Sequence, residues 1–244
     1  MPRLLIVKTG DAFPEVVETH GDFEALFQQA LAGAGFAARV FDARREPLPD
    51  LAEIDGLYIT GSHSMVSHAE PWSEALKPWL IEARERNLPM LGVCYGHQLM
   101  AAAYGGMSDF HPARRESGTH PVTLTEAGRE DALLGALPER FPAQLTHAQS
   151  VLQAPADAVV LARNAHDAHQ ALRYGPRQWS VQFHPEFTAP VMRAYLARQV
   201  DALRDQGQDP EALIEGVAAT PEAGSLLATF AKRVAAWLET TPHR

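Results

Sequence analysis

Short apolar runs alternate with amphipathic helical stretches over roughly the first hundred residues. The apolar run at residues 4–7 ends at a Thr-Gly pair and predicts a strand buried on both faces of a parallel sheet. Apolar side chains recur at helical spacing over 22–31, and two glycines stop that helix. Further strands are predicted at 37–41, 55–61 and 88–93, and a helix is predicted at 72–86. This alternation predicts a doubly wound, flavodoxin-like, mostly parallel α/β sheet with helices on both faces, which binds ligands beyond the carboxyl ends of its strands.

The pattern changes in the second half of the chain. Small β-like pieces, some of them antiparallel, are separated by Pro, Gly and Asp; they cover 120–125, 141–146, 158–162, 169–174 and 179–183. Helical periodicity returns at 189–203 and again at 224–238. We therefore predict a catalytic domain over 1–204 and a C-terminal helical extension over 205–244 that packs on the core, with a homodimer or partner surface as the lesser interpretation.

Composition and charge exclude several classes of protein. The 244 residues carry 21 Lys and Arg against 30 Asp and Glu, a net charge of −9, and no basic cluster longer than a pair. This balance argues against a nucleic-acid or membrane partner. The single cysteine excludes an intramolecular disulfide. Because the sequence has neither an apolar run of about 18 residues nor a signal-peptide core, we expect a cytoplasmic location.

One segment joins a predicted strand to a helical stretch through a cysteine between two glycines. Residues 92–96 read G-V-C-Y-G, and a helical stretch follows over 98–104. Glycines two before and two after a reactive residue remove the side chains that would collide in a strained strand-to-helix turn. The first turn of a helix favours the thiolate of Cys94, so we predict this residue as a nucleophile, with the amide of Tyr95 as an oxyanion donor. Without those glycines, a lone cysteine is more often a small buried hydrophobe.

Among eleven histidines, His184 has the best setting for a base. It stands in V-Q-F-H-P-E-F over 181–187, at the end of an apolar predicted strand whose carboxyl end would lie beside the cysteine. Pro185 disfavours helical backbone at His184, and an extended chain would direct His184 and Glu186 to the same side. A carboxylate in that position fixes the imidazole tautomer. We predict a triad of Cys94, His184 and Glu186.

Other polar patterns are weaker. His97 has no acidic residue placed locally to orient it, and we interpret it as a packing residue. Residues 33–38 match G-x-G-x-x-A but end a helix, the reverse of a phosphate-binding turn. Two histidine pairs have no third ligand nearby, so we expect no metal site; they are His63 with His68 and His166 with His169.

The two motifs together resemble class I glutamine amidotransferase domains, whose signature is G-x-C-x-G-x-Q followed much later by Q-x-H-P-E. Here 92–98 read G-V-C-Y-G-H-Q and 182–186 read Q-F-H-P-E. The resemblance covers about residues 4–200 and is strongest to the glutaminase portion of GMP synthetases and to stand-alone relatives. It implies that Cys94 attacks the γ-carboxamide of glutamine and that His184 moves the proton and then activates water on the thioester. No cofactor is expected.

The resemblance also implies roles for residues around the triad. Gly61, in the sequence Ile-Thr-Gly-Ser, looks like the second oxyanion donor, through its backbone N–H. Gln98 resembles the residue that helps hold the amino-acid end of the substrate. The loop at 145–150, which contains Ala148 and Gln149, resembles the loop whose backbone contacts the substrate.

The sequence departs from the synthetase-linked pattern at two places. Residues 61–64 read G-S-H-S where G-G-P is usual, and 147–149 read H-A-Q where H-x-D is common. The lost carboxylate leaves the triad untouched but makes strict glutamine specificity less secure than the thiol chemistry. We also expect no ATP-using synthetase domain within the chain. Ammonia then passes to a separate synthetase or acceptor protein, or the enzyme is a γ-glutamyl peptidase; a non-catalytic binding or regulatory module is the third hypothesis.

Overall fold

Eleven strands occur in the computed structural model, which describes residues 1–240; residues 241–244, the end of the predicted extension, lie outside the described residues. The strands are β1 (Leu4–Lys8), β2 (Ala38–Asp42), β3 (Gly56–Ile59), β4 (Met90–Val93), β5 (Met107–Phe110), β6 (Glu116–Leu124), β7 (Arg140–His147), β8 (Gln149–Gln153), β9 (Val159–Arg163), β10 (Ala171–Gly175) and β11 (Gln178–Val181).

Nine of these strands form one sheet, in the order β2-β1-β3-β4-β11-β10-β9-β6-β7. The first five are parallel to one another, as in a flavodoxin-like sheet. The remaining four pair antiparallel, and β5 with β8 forms a separate antiparallel pair. The predicted mostly parallel α/β fold with small antiparallel strands is therefore confirmed.

Ten α-helices lie within residues 1–240. They are α1 (Pro14–His20), α2 (Phe23–Ala32), α3 (Pro71–Glu85), α4 (Tyr95–Ala103), α5 (Glu126–Arg129), α6 (Ala189–Arg198), α7 (Val200–Asp205), α8 (Pro210–Glu215), α9 (Pro221–Gly224) and α10 (Leu226–Thr240). None of the described helices is both long and apolar enough to cross a membrane.

Two apolar layers cover the sheet. On one face α3 and α4 pack over β1, β3 and β4. On the other face α2 lies beside α10, whose Phe230 ring meets Tyr58 of β3 at a centroid distance of 5.0 Å. The Tyr58 hydroxyl donates to the Leu227 carbonyl at 2.8 Å. The C-terminal helix thus contributes to the main core, while the division of the chain at residue 204 stays a prediction.

The structure differs from the sequence expectations mainly at element ends. The helix after the cysteine begins at Tyr95, three residues earlier than predicted, since a glycine in its first turn hides the helical pattern. The single helix expected over 189–203 is two helices, with a break at Gln199. The sequence reasoning missed α1, α5, β5 and β8, which are too short or too polar to show a clear period.

Candidate active site

A strained turn carries the cysteine at the carboxyl end of β4. Cys94 has φ 52° and ψ −100° and is the N-cap of α4. A positive φ is unusual for a residue with a Cβ and costs energy that the surrounding structure must supply. Here the Cys94 amide donates to the Val181 carbonyl of β11 at 2.9 Å, which ties the turn to the neighbouring strand. The sharp strand-to-helix turn that the sequence predicted is present.

Glycines 92 and 96 permit a close approach on both sides of this turn. A Cβ on Gly92 would lie 2.7 Å from the carbonyl oxygen of Gly96. A Cβ on Gly96 would lie 2.6 Å from the carbonyl oxygen of Ile59, at the end of β3. Both distances are shorter than a Cβ tolerates, so the turn requires glycine at both positions.

His184 and Glu186 form a buried hydrogen-bonded pair next to the cysteine. Nδ1 of His184 lies 2.7 Å from Oε1 of Glu186, and the residues are only 2% and 4% exposed. The His184 amide donates to the Gln144 carbonyl of β7, which anchors the backbone. Strand β11 ends at Val181, and a turn rather than extended chain joins His184 to Glu186. The expectation of an extended backbone is therefore wrong, although the pairing it predicted is present.

The free side of the imidazole faces the cysteine. Within residues 1–240, Nε2 of His184 makes no hydrogen bond of standard geometry, and the Cys94 side chain is the group that interacts with it. A Cβ on Gly61 would lie 3.0 Å from Cε1 of His184 and 3.6 Å from Cβ of Cys94, so both side chains converge on Gly61. Phe187 stacks on the imidazole at a centroid distance of 4.3 Å and limits its rotation.

Charges around His184 favour its protonated form. Burial works to lower the pKa of His184, but the negative charges of Glu186 and Cys94 outweigh burial and raise this pKa to about 10. An imidazolium held beside a sulfur can give its proton to a leaving group. The arrangement therefore places a proton donor next to the nucleophile.

Two backbone amides beside the sulfur are available as donors. Tyr95 is the first residue of α4, and its amide has no partner inside the helix. The Thr60 carbonyl accepts from Thr9 Oγ1 at 2.9 Å and from the Gly96 amide at 3.2 Å. In a trans peptide the C=O and the N–H point in opposite directions. Because these contacts hold the Thr60 C=O, the Gly61 N–H of the same peptide points away from Thr9 and Gly96. Thr9, which the sequence reasoning missed, therefore positions one predicted oxyanion donor.

A cavity of about 210 Å³ lies over these groups. It is smaller than the roughly 300 Å³ of pockets for drug-sized ligands, which suits a molecule the size of an amino acid. Larger cavities of about 500 and 630 Å³ contain neither Cys94 nor His184, although Arg115 lines the first of them as well. Besides these two, the residues lining it are Phe13, Phe23, Ser62, His63, Ser64, Met65, Gln98, Arg115, Thr146, His147, Ala148, Gln149, Tyr195 and Gln199.

The predicted substrate-contact residues lie at this cavity. Nε2 of Gln98 donates to the Gln149 carbonyl at 2.6 Å and to Oε1 of Gln182 at 3.0 Å. Its own Oε1 accepts no hydrogen bond within the described chain and remains available to a ligand. The Gln149 side chain donates to Ser67 at 2.5 Å. Ala148 lines the cavity between β7 and β8.

Two other histidines, His97 and His147, hold structural positions. His97 is fully buried, with Nδ1 2.6 Å from Ser180 Oγ, and burial lowers its pKa to about 3, so it is a neutral packing residue as the sequence predicted. His147 lies between the Gln149 carbonyl and the carboxylate of Glu116. Within residues 1–240, no three His, Cys, Asp or Glu side chains are grouped so that they could hold a metal ion.

Several cavity residues lay beyond sequence reasoning. Phe23 of α2 stacks near His184 at a centroid distance of 6.2 Å. Arg115 and Gln199 come from the loop before β6 and from the break between α6 and α7. No motif marks them, because they are far from the cysteine in sequence and only the folded chain brings them to it. A polar residue that interrupts the helical period, as Gln199 does, was the one available signal.

The chain belongs to the class I glutamine amidotransferases. The model of that family, described as "Glutamine amidotransferase class-I", matches residues 15–202. The chain is accordingly a glutamine amidotransferase enzyme of this class.

Named relatives agree with this assignment, and a solved structure has the same fold. One subunit of the glutamine-hydrolyzing GMP synthase from Methanopyrus kandleri is 27% identical over 172 residues, which cover 70% of this chain and 87% of the relative. A glutamine-hydrolyzing GMP synthase from Aeropyrum pernix is 31% identical over 176 residues, 70% of this chain but only 32% of the relative. The crystal structure of a glutamine amidotransferase from Thermotoga maritima has a TM-score of 0.76 at 19% identity, covering 96% of this chain and 98% of the other, and shows the shared fold.

Proposed function

We propose that this enzyme hydrolyses the γ-carboxamide of glutamine through Cys94, His184 and Glu186, with a thioester intermediate. The observation that carries the proposal is the convergence of the His184 imidazole and a strained cysteine on one small cavity, with a carboxylate 2.7 Å behind the imidazole. In such a triad the carboxylate orients the imidazole and the imidazole serves as both base and acid.

The reaction divides into two steps. The sulfur of Cys94 bonds to the γ-carbonyl carbon, and the carbonyl oxygen becomes an oxyanion that the amides of Gly61 and Tyr95 stabilise. The carbon–nitrogen bond then breaks, and His184 gives its proton to the departing ammonia. Water, deprotonated by His184, attacks the thioester carbon, the carbon–sulfur bond breaks, and glutamate leaves. Glu186 keeps the imidazole in place through its hydrogen bond to Nδ1.

A separate protein is proposed to receive the ammonia. The Methanopyrus kandleri relative is named as one subunit of a GMP synthase, and the match to the Aeropyrum pernix GMP synthase covers only a third of that protein. These names support a division of labour in which this chain releases ammonia for a synthetase partner. A homodimer stays a prediction.

An active-site label tests the nucleophile. A glutamine-like electrophile such as a diazoketone analogue should modify Cys94 alone, and glutamine should protect it. Cys94→Ala should abolish turnover and labelling while the protein keeps its thermal unfolding temperature, since it deletes the nucleophile at little packing cost. Labelling at another residue, or turnover by Cys94→Ala, would contradict the proposal.

A second candidate is a γ-glutamyl peptidase that uses the same triad. The same residues would serve it, because the triad acts on the γ-carbonyl carbon of either substrate and the two differ only in the leaving group. A panel that compares ammonia release from glutamine with amine release from γ-glutamyl peptides separates the two. If neither substrate is turned over and the electrophile does not modify Cys94, the non-catalytic hypothesis is supported.

A further inference from the structure

A guanidinium without a counter-ion lies in the wall of the active-site cavity. Arg115 immediately precedes β6, is half-buried, and lines the same cavity as Cys94 and His184. Its Nη1 donates to Oε1 of Gln199 at 2.5 Å and to the Thr146 hydroxyl at 3.5 Å, and both of these partners are neutral.

The remaining donors of Arg115 are unused. Its Nε is buried and has no partner, and Nη2 donates to no group within residues 1–240. No carboxylate of the described chain lies within ion-pair distance. The adjacent Glu116 is taken by other groups, since it binds His147 at 3.1 Å and Asn164 at 2.6 Å.

A half-buried guanidinium without a counter-ion destabilises the protein unless a bound group accepts its free hydrogen bonds. Burial lowers the pKa of Arg115, and the negative charge of Cys94 works in the opposite direction. Arginine nevertheless keeps its proton in proteins, so the cavity retains a positive charge with open donors. Planar N–H donors of this kind match a carboxylate, which they bind through charge-assisted hydrogen bonds.

We propose that Arg115 determines substrate specificity by binding the α-carboxylate of the glutamyl substrate, and that the enzyme therefore requires a free α-carboxylate. This inference rests on the proposed function for its scissile bond and adds the recognition of the far end of the substrate. The α-carboxylate is the anion that a glutamyl substrate brings whatever its leaving group, so glutamine and γ-glutamyl peptides both satisfy it. Because this charge is the same in the bound substrate and in the transition state, Arg115 acts on binding more than on the chemical step.

The test compares L-glutamine with its α-amide, L-glutaminamide, on the wild type, Arg115→Gln and Arg115→Lys. Arg115→Gln should raise the KM for glutamine by roughly 10- to 150-fold, the range for losing hydrogen bonds to a charged group, with kcat changed by less than about threefold. It should leave kcat/KM for glutaminamide unchanged, since that compound has no carboxylate to lose. Arg115→Lys should recover part of the affinity.

Arg114→Gln is the matched control. Arg114 is the exposed neighbour, binds the Gln206 carbonyl at 3.1 Å and does not line the cavity, so its loss should alter neither substrate. Equal losses for glutamine and glutaminamide in Arg115→Gln, or no loss for either, would overturn the proposal.

A binding measurement separates this inference from the proposed function. Bound glutamine should slow the alkylation of Cys94 by iodoacetamide, and the concentration that gives half protection then reports binding without turnover. Arg115→Gln should raise that concentration for glutamine and not for glutaminamide. A wild type that binds but does not hydrolyse would refute the proposed function and leave the carboxylate site standing. Hydrolysis with unchanged protection in Arg115→Gln would do the reverse.

Discussion

Replacing Glu186 with glutamine isolates the charge behind the imidazole, because the substitution keeps the shape and removes the ion. At the observed 2.7 Å separation, the attraction between carboxylate and imidazolium is about 6 kcal/mol at an effective dielectric constant of ~20. The rise in the pKa of His184 from 6.5 to about 10 is the net result of burial and of the interactions with Glu186 and Cys94, and it corresponds to about 5 kcal/mol. We expect Glu186→Gln to destabilise the protein by about 3–5 kcal/mol near pH 6.

The pH dependence gives this prediction its sign. The folded-state pKa of His184 is raised, so its stabilising contribution is complete below pH 6.5 and is lost as the pH rises towards 10. The difference in unfolding free energy between wild type and Glu186→Gln should therefore be largest near pH 6 and should shrink towards pH 10. Taking the difference cancels the titration of every group whose pKa the substitution leaves unchanged.

Urea unfolding followed by tryptophan fluorescence at several pH values measures this difference, and ammonia release from glutamine measures function. We expect kcat/KM to fall by about 10²- to 10⁴-fold in Glu186→Gln, since the imidazole loses its orienting partner. Glu139→Gln, which removes an exposed carboxylate 3.2 Å from Arg129, should cost less than about 1 kcal/mol. A stability difference that is the same at pH 6 and pH 10, or undiminished turnover, would refute the reasoning.

Three further substitutions probe the scaffold. Gly96→Ala places a methyl group against the Ile59 carbonyl; it should destabilise by about 1–3 kcal/mol in urea unfolding and reduce turnover, and a variant normal in both would contradict the close approach. Thr9→Val should lower kcat roughly tenfold with KM unchanged in steady-state kinetics, because an oxyanion donor loses its support; a change confined to KM would contradict that role. Tyr58→Phe loses the bond to Leu227 and should cost about 0.5–1.5 kcal/mol in urea while turnover stays normal; unaltered stability would show that bond to be unimportant.

The parts of the site that are contiguous in sequence were predictable. The glycines at 92 and 96 predict the turn, because a Cβ at either position would collide with a nearby backbone carbonyl. The parallel half of the sheet was predictable for a similar reason, since each of its strands is a continuous apolar run bounded by a loop.

The parts that depend on distant segments were not. No local sequence pattern marks Arg115. Its role depends on two features of the folded chain: it lines the same cavity as Cys94, and no carboxylate of the described residues pairs with it. The turn after β11 was also missed, since the preference of a residue before proline says little about the two residues that follow. The core position of α10 depends on its packing against β3, which is far from α10 in the sequence.

The most direct test of the central claim is a search for the acyl-enzyme itself. Wild-type protein mixed with glutamine, quenched in acid within milliseconds and digested, should yield a peptide in which Cys94 carries one γ-glutamyl group, and that species should disappear on longer incubation as glutamate accumulates. Glutamate formation with Cys94 unmodified at every quench time, or with the glutamyl group on another side chain, would contradict the claim.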